Sequence, residues 1–144
     1  MTATDDRAEI TEVLARYAIA LDRRQFDVVG DLFTEDGQAT YSGNRLDPGR
    51  AAIVAYLQPL AEVPMTQHMV GTPSITIDGD TATAVSYTIV TFVREAEDGE
   101  GHVAVHRGLS YDDQLVRTPD GWRFKERFHQ PLWSTNGPTV WPVP

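Results

Sequence analysis

Apolar side chains recur every three or four residues through the first sixty positions and every second residue afterwards, and this change of period divides the chain into a helical part and a sheet part. Ile10, Val13, Leu14, Tyr17 and Leu21 fall on one face of a helix predicted over residues 5–24, with Thr4 or Asp5 as its cap. A shorter helix takes its apolar side from Phe26, Val29, Leu32 and Phe33 and ends at the Glu35-Asp36-Gly37 turn. After an extended piece around Ala39 to Tyr41, the segment GRAAIVAYL from Gly49 reads as a third helix, stopped by Pro59. The period-two segments 67–77, 81–94, 102–117 and 121–129 read as strands, joined by IDGD at 77–80, EAEDGEG at 95–101 and TPDG at 118–121. Helices first and an antiparallel meander second predict an α+β domain, its helices covering one face of a curved sheet that encloses a pocket. The last residues, 130–144, are Pro-rich and predict an irregular tail. Its Leu132, Trp133, Val140 and Trp141 would lie over a pocket mouth or a neighbouring subunit.

At 144 residues the chain is expected to form one domain, 1–144, large enough to bury roughly two-thirds of its surface without staples. It has no cysteine, which removes disulfides, thiolate metal sites and cysteine nucleophiles. A net charge of −9 with only 12 Lys and Arg, scattered, argues against a nucleic-acid partner. The acidic start and the lack of any long apolar run give no expectation of a membrane partner, and the reading is of a cytoplasmic protein.

Three features carry candidate chemistry. Stepping about 100° per residue from Ile10 puts Glu9, Glu12, Arg16 and Arg23 on the far, solvated side of the first helix, while Asp22 falls near about 120°, within the apolar arc. A carboxylate there needs a partner unless the helix end frays and lets it reach water. Tyr17 lies on the core stripe itself, where a tyrosine packs its ring and finds one partner for its hydroxyl. His68 stands in PMTQHMVG, a segment with no other ionisable group, and is either a satisfied packing residue or a proton handler. His102, His106 and His129 form no zinc spacing, so no metal is expected. Arg127 shares strand parity with Arg123 and Lys125, opposite Trp122, Phe124 and Phe128, and parity alone places it in solvent. No glycine-rich phosphate loop, G-x-S-x-G elbow or dinucleotide fingerprint is present.

The succession ARYAIALDRRQFD, DLFTEDG, GRAAIVAYL, TQHMVG and YDDQLVRTPDGWRF resembles the SnoaL-like branch of the NTF2-like superfamily over nearly the whole chain. The resemblance implies a cone-shaped α+β barrel, its N-terminal helices packed on a curved, mostly antiparallel sheet that encloses a pocket. It is nearest to the members that include scytalone dehydratase, bile acid 7α-dehydratase and lindane dehydrochlorinase, in which a histidine pairs with an aspartate from the end of the first helix. His68 and Asp22 occupy those positions. Tyr17 matches the tyrosine five residues before that aspartate in the bile acid enzyme, and Arg127 the arginine five residues after the last-strand tryptophan in the dehydrochlorinase. Tyr41 matches a pocket tyrosine of scytalone dehydratase, and its second pocket histidine would fall near Thr91, so Tyr41 and Thr91 are expected to contact substrate. What this implies is a cofactor-independent lyase, a dehydratase for a hydrophobic cyclic or polyketide-like molecule, assembled as a dimer or trimer. An isomerase or cyclase using the same His68–Asp22 pair is the nearest alternative. A non-catalytic binding module, like the small subunit of ring-hydroxylating dioxygenases, is the alternative of another class, although a binder has no need of a carboxylate on an apolar arc.

Overall fold

A mixed, mostly antiparallel seven-stranded sheet carries three helices in the computed structural model, which describes residues 3–139 and 141. The order along the chain is α1 (Ala3–Asp22), α2 (Phe26–Asp31), β1 (Phe33–Tyr41), β2 (Asn44–Arg45), α3 (Arg50–Leu57), a 3₁₀ turn (Gln58–Glu62), β3 (Met65–Val70), β4 (Ser74–Asp78), β5 (Thr81–Glu95), β6 (His102–Thr118) and β7 (Gly121–Thr139). In space the strands run β2-β1-β7-β6-β5-β3, with β4 also on β5. β1 lies parallel to β7 and the other paired strands are antiparallel, so the sheet is mostly antiparallel as expected. Among the described residues no helix is long and apolar enough to cross a membrane.

α1 begins at Ala3, which places Thr4 and Asp5 inside its first turn and not at its cap. Its stripe is buried as predicted: Ile10, Val13, Leu14, Tyr17 and Leu21 are all at most 3% exposed. This stripe meets Phe33, Tyr111 and Phe124 from the sheet, each ring edge-on to Tyr17. Along β5, Ala82, Ala84, Ser86, Thr88 and Val90 are buried while Thr83, Val85, Tyr87 and Ile89 are exposed. That alternation defines an inner face under the helices and an outer face away from them.

Three predicted elements change. The second helix stops at Asp31, and Phe33 and the Glu35-Asp36-Gly37 segment belong to β1 instead of to the helix and its terminating turn. The expected strand 67–77 is two strands, because Gly71, Thr72 and Pro73 break it, and both halves then pair with β5. The expected irregular tail from residue 130 is corrected: β7 continues to Thr139, pairing with β6 as far as His102. Prolines hid this, since a proline cannot donate to a ladder. Here β1 pairs β7 only up to His129, so beyond that point one edge of β7 has no strand partner among the described residues, and Pro131 adjoins a register shift opposite Gly108 and Leu109. Trp133 then lies across Gly108 on the outer face, about half exposed, and does not cover the pocket. Trp141 stacks edge-on against His102, while Val140 and residues 142–144 lie outside the described residues.

At the far end of α1, Asp6 accepts both terminal nitrogens of Arg117 at 2.6 and 2.9 Å and the Trp122 indole N–H at 3.1 Å. Hydrogen bonds from Arg117 and then Trp122 bring its carboxyl from the ordinary 3.8 down to about 2. A carboxyl depressed on folding stabilises above its unfolded pKa and loses that contribution as pH falls through the folded value. Stability is therefore expected to decline between about pH 4 and pH 2, and Asp6→Asn to flatten that decline. Urea midpoints measured across this range check it.

Candidate active site

The last turn of α1 is fastened to β3 by a small set of polar contacts. In β3, Thr66 and His68 are two residues apart and face the same way, toward α1, while Gln67 points outward. Asp22, the final residue of α1, receives both. Its Oδ1 accepts from His68 Nδ1 at 2.7 Å and from Thr66 Oγ1 at 3.0 Å, and its Oδ2 accepts from the backbone N–H of His68 at 2.8 Å. The chain leaves the helix through Arg24, held at a positive φ of 59°. That turn brings its guanidinium back to donate to Thr66 Oγ1 at 2.6 Å and to the Val63 carbonyl at 2.8 Å. Burial pushes the Asp22 carboxyl up, but the bonds from His68 and Thr66 outweigh it and hold the group below its ordinary value. An ionised carboxylate at Nδ1 fixes the imidazole proton on that nitrogen and leaves the Nε2 lone pair free.

His68 lines a cavity of about 320 Å³, within the range of small-molecule sites. Tyr17, Tyr41, Tyr111 and His129 contribute its polar wall, and Leu21, Tyr56, Leu57, Leu60, Val63 and Phe92 its apolar one. The hydroxyls of Tyr17 and Tyr41 share a hydrogen bond of 2.7 Å. Tyr111 has no hydrogen-bond partner for its hydroxyl among the described residues. Burial pushes all three phenols above their ordinary value, so each is a protonated donor at neutral pH. His129 is held between the rings of Tyr41 and Tyr111. Its Nδ1 accepts the Ser42 backbone N–H at 3.3 Å, which puts the ring proton on Nε2. Burial, aided by the charge of Arg127, lowers its pKa to about 4 and keeps it neutral.

Of the predicted site residues, the fold thus gathers Asp22, His68, Tyr17 and Tyr41. It does not gather the other two. Thr91 lies on the outer face of β5, where its hydroxyl bonds His106 Nδ1 at 3.0 Å, so the expectation that it contacts substrate is corrected. Arg127 is only 1% exposed and does not line the cavity, contrary both to its strand parity and to a direct contact with substrate. A register shift lies opposite Lys125, between the Leu115–Phe124 and Gln114–Glu126 pairs. One extra residue turns the following side chains over: Trp122 and Phe124 face inward, then Arg127 does, and Phe128 faces out, 41% exposed. Inside, Arg127 Nε and Nη2 each donate to Asp113 at 2.7 Å. Its guanidinium carbon lies 4.0–4.1 Å from the ring centres of Tyr17, Tyr111 and Phe124. Arg127 therefore stands behind the pocket tyrosines.

The model of the SnoaL-like domain family matches residues 2–128. The chain belongs to this family. An uncharacterized protein of Mycobacterium tuberculosis, Rv2910c, is 38% identical over 124 residues, covering 85% of this chain and 82% of that one. The Kfla4162 protein of Kribbella flavida superposes with a TM-score of 0.82 at 26% identity, over 93% of this chain and 95% of that one. A hexachlorocyclohexane dehydrochlorinase, LinA type 2, gives a TM-score of 0.82 over 98% and 95% of the two chains, at 14% identity, a likeness of fold alone.

In this SnoaL-like domain several residues of the site were not singled out from the sequence. Thr66 could have been found from its place two residues before His68, since strand parity puts both on one face. Tyr111, His129 and Arg107 come from long strands with apolar residues on both faces, and only the pairing shows which face holds the cavity. Among the described residues no three of His, Cys, Asp and Glu cluster as metal ligands.

Proposed function

We propose that this SnoaL-like domain is a cofactor-independent lyase that removes water by β-elimination from a hydrophobic cyclic or polyketide-like small molecule. The observation that carries this reading is the 2.7 Å bond from His68 Nδ1 to a carboxylate that also holds the His68 backbone, with the imidazole on a largely apolar cavity wall. His68 Nε2 takes the proton from a carbon beside a carbonyl, and Asp22 balances the imidazolium. The C–H electron pair becomes the new C=C bond as the C–O bond breaks, and the departing oxygen leaves as water with the proton returned by His68. The Tyr17–Tyr41 hydroxyl pair, joined by Tyr111 and the Nε2–H of His129, donates to the oxygen on which charge develops. Arg127 is a positioning residue whose charge, behind the rings of Tyr17 and Tyr111, favours electron density on their oxygens. The proton taken from carbon and returned to the departing oxygen is carried by His68, so the step balances with the pocket residues alone. Loss of HCl, named in the dehydrochlorinase that shares the fold, is an elimination of the same type.

The test is a panel of β-hydroxy cyclic ketones in D₂O, followed by enone absorbance and by NMR. The expected result is an enone formed by the wild type and not by His68→Gln. Deuterium uptake beside the carbonyl with the hydroxyl retained would transfer the assignment to an isomerase or cyclase. Binding without exchange or turnover would make the protein a ligand carrier. The outer face, with Met69, Val85, Tyr87, Ile89, Phe128 and Trp133 all more than 40% exposed, is proposed as the surface through which copies associate. A monomer mass in light scattering would remove that part of the reading.

A further inference from the structure

Of the described side chains lining the cavity, Arg107 alone carries a permanent charge. In register, His68 pairs with Val90 on β5, and Val90 pairs with Arg107 on β6. The base and the arginine therefore stand in one row across the inner face, two strand spacings or about 10 Å apart at their Cα atoms. The Arg107 guanidinium lies over the Phe92 ring at 5.4 Å. Among the described residues it has no hydrogen bond and no ion pair, although carboxylates outnumber cationic side chains by 21 to 12 along the chain. A guanidinium without a protein partner keeps its N–H donors available to bind an oxyanion. Beyond Phe92 a second cavity of about 200 Å³ adjoins the first, bordered by Val63, Phe92, Arg94, Val105 and Arg107. Arg94 there has one carboxylate at 3.8 Å, Glu97. The doorway of the apolar pocket is thus flanked by two guanidinium groups.

We propose that Arg107, with Arg94 beyond it, forms an anion-binding subsite at the pocket mouth, so that the accepted molecule is an apolar, ring-sized body carrying a carboxylate or phosphate one or two ring widths from the C–H that meets His68. This deepens the lyase reading by naming its substrate class, and it rests on the same pocket. The apolar body fills the space between Leu57, Leu60 and Phe92, while the anionic end stays at the rim where the arginines remain hydrated.

Calorimetric titration with three matched probes tests it: naphthalene-2-carboxylate, 2-naphthyl phosphate and the neutral naphthalene-2-carboxamide. The wild type is expected to bind at least one anion on the order of 10-fold or more tightly than the carboxamide, as charge-assisted bonds allow. Whichever anion is preferred identifies the group. Arg107→Gln should abolish the preference and Arg107→Lys should retain part of it, each confirmed folded by its melting transition. Equal affinity for all three probes, no binding of either anion at millimolar concentration, or a preference that survives Arg107→Gln would overturn the proposal. His68→Gln should keep the anion preference. A protein that selects anions through Arg107 yet exchanges no C–H proton would therefore fail as a lyase while the subsite stands.

Discussion

Asp113→Asn is expected to cost about 3–5 kcal/mol of stability, the largest effect of any single substitution outside the apolar core. The reason is the completeness of its burial. Asp113 and Arg127 are cross-strand partners on β6 and β7 with side chains 0% and 1% exposed, joined by two bonds of 2.7 Å. Removing the carboxylate's charge leaves a guanidinium enclosed by Tyr17, Tyr111 and Phe124, with Nη1 already lacking a hydrogen-bond partner among the described residues. Burial alone would pull Arg127 below its ordinary pKa, and Asp113 is what holds it above. The pair differs in this from Arg45–Glu126 on the surface, whose loss should change stability by under about 1 kcal/mol. Urea denaturation checks the prediction, and an unchanged m-value would show that the shift in midpoint is a change in stability and not in the surface exposed on unfolding. Asp113→Asn combined with Arg127→Met should recover much of the loss, because the cost lies mainly in the uncompensated charge. A single variant as stable as the wild type would mean that water reaches Arg127.

The helices, the long strands β5 and β6 and the candidate residues Asp22 and His68 were legible because each rests on a local pattern. A carboxylate 120° from a helix stripe and a histidine in an uncharged strand are visible in one dimension. So is the consequence that each needs a partner. Arg127 and Phe128 were not legible, because a single extra residue near Lys125 reverses parity and no side-chain pattern announces it. The strand beyond residue 130 was hidden by prolines that its free edge tolerates. Thr91 was placed by resemblance alone, and the register puts its side chain on the other face from the cavity. Along β5 the sequence ATAVSYTIVTF has threonine and apolar residues on both faces, so which face is inner follows only from the helices laid against it.

His68→Gln is expected to lower turnover on the order of 10²-fold or more, and Asp22→Asn to do the same by a different route. Glutamine removes the Nε2 lone pair that the reaction uses. Asparagine keeps the shape of Asp22 but can present an N–H to Nδ1, which would move the imidazole proton to Nε2 and leave no base facing the pocket. It also removes the charge that balances the imidazolium. The two roles separate by measurement. In ¹⁵N NMR, wild-type His68 should carry its neutral proton on Nδ1, and Asp22→Asn should shift the population toward Nε2, a change that loosening of the helix end alone would not produce. Thr66→Val provides a further arm, since it deletes one of the three bonds to Asp22 while leaving the carboxylate and His68 in place. Its turnover should fall by less than that of Asp22→Asn, with the Nδ1–H tautomer retained. Melting transitions must show all three variants folded, because Asp22 also fastens α1 to β3. A fully active His68→Gln enzyme would remove the base from the mechanism and leave the 2.7 Å bond as a structural clasp between helix and sheet.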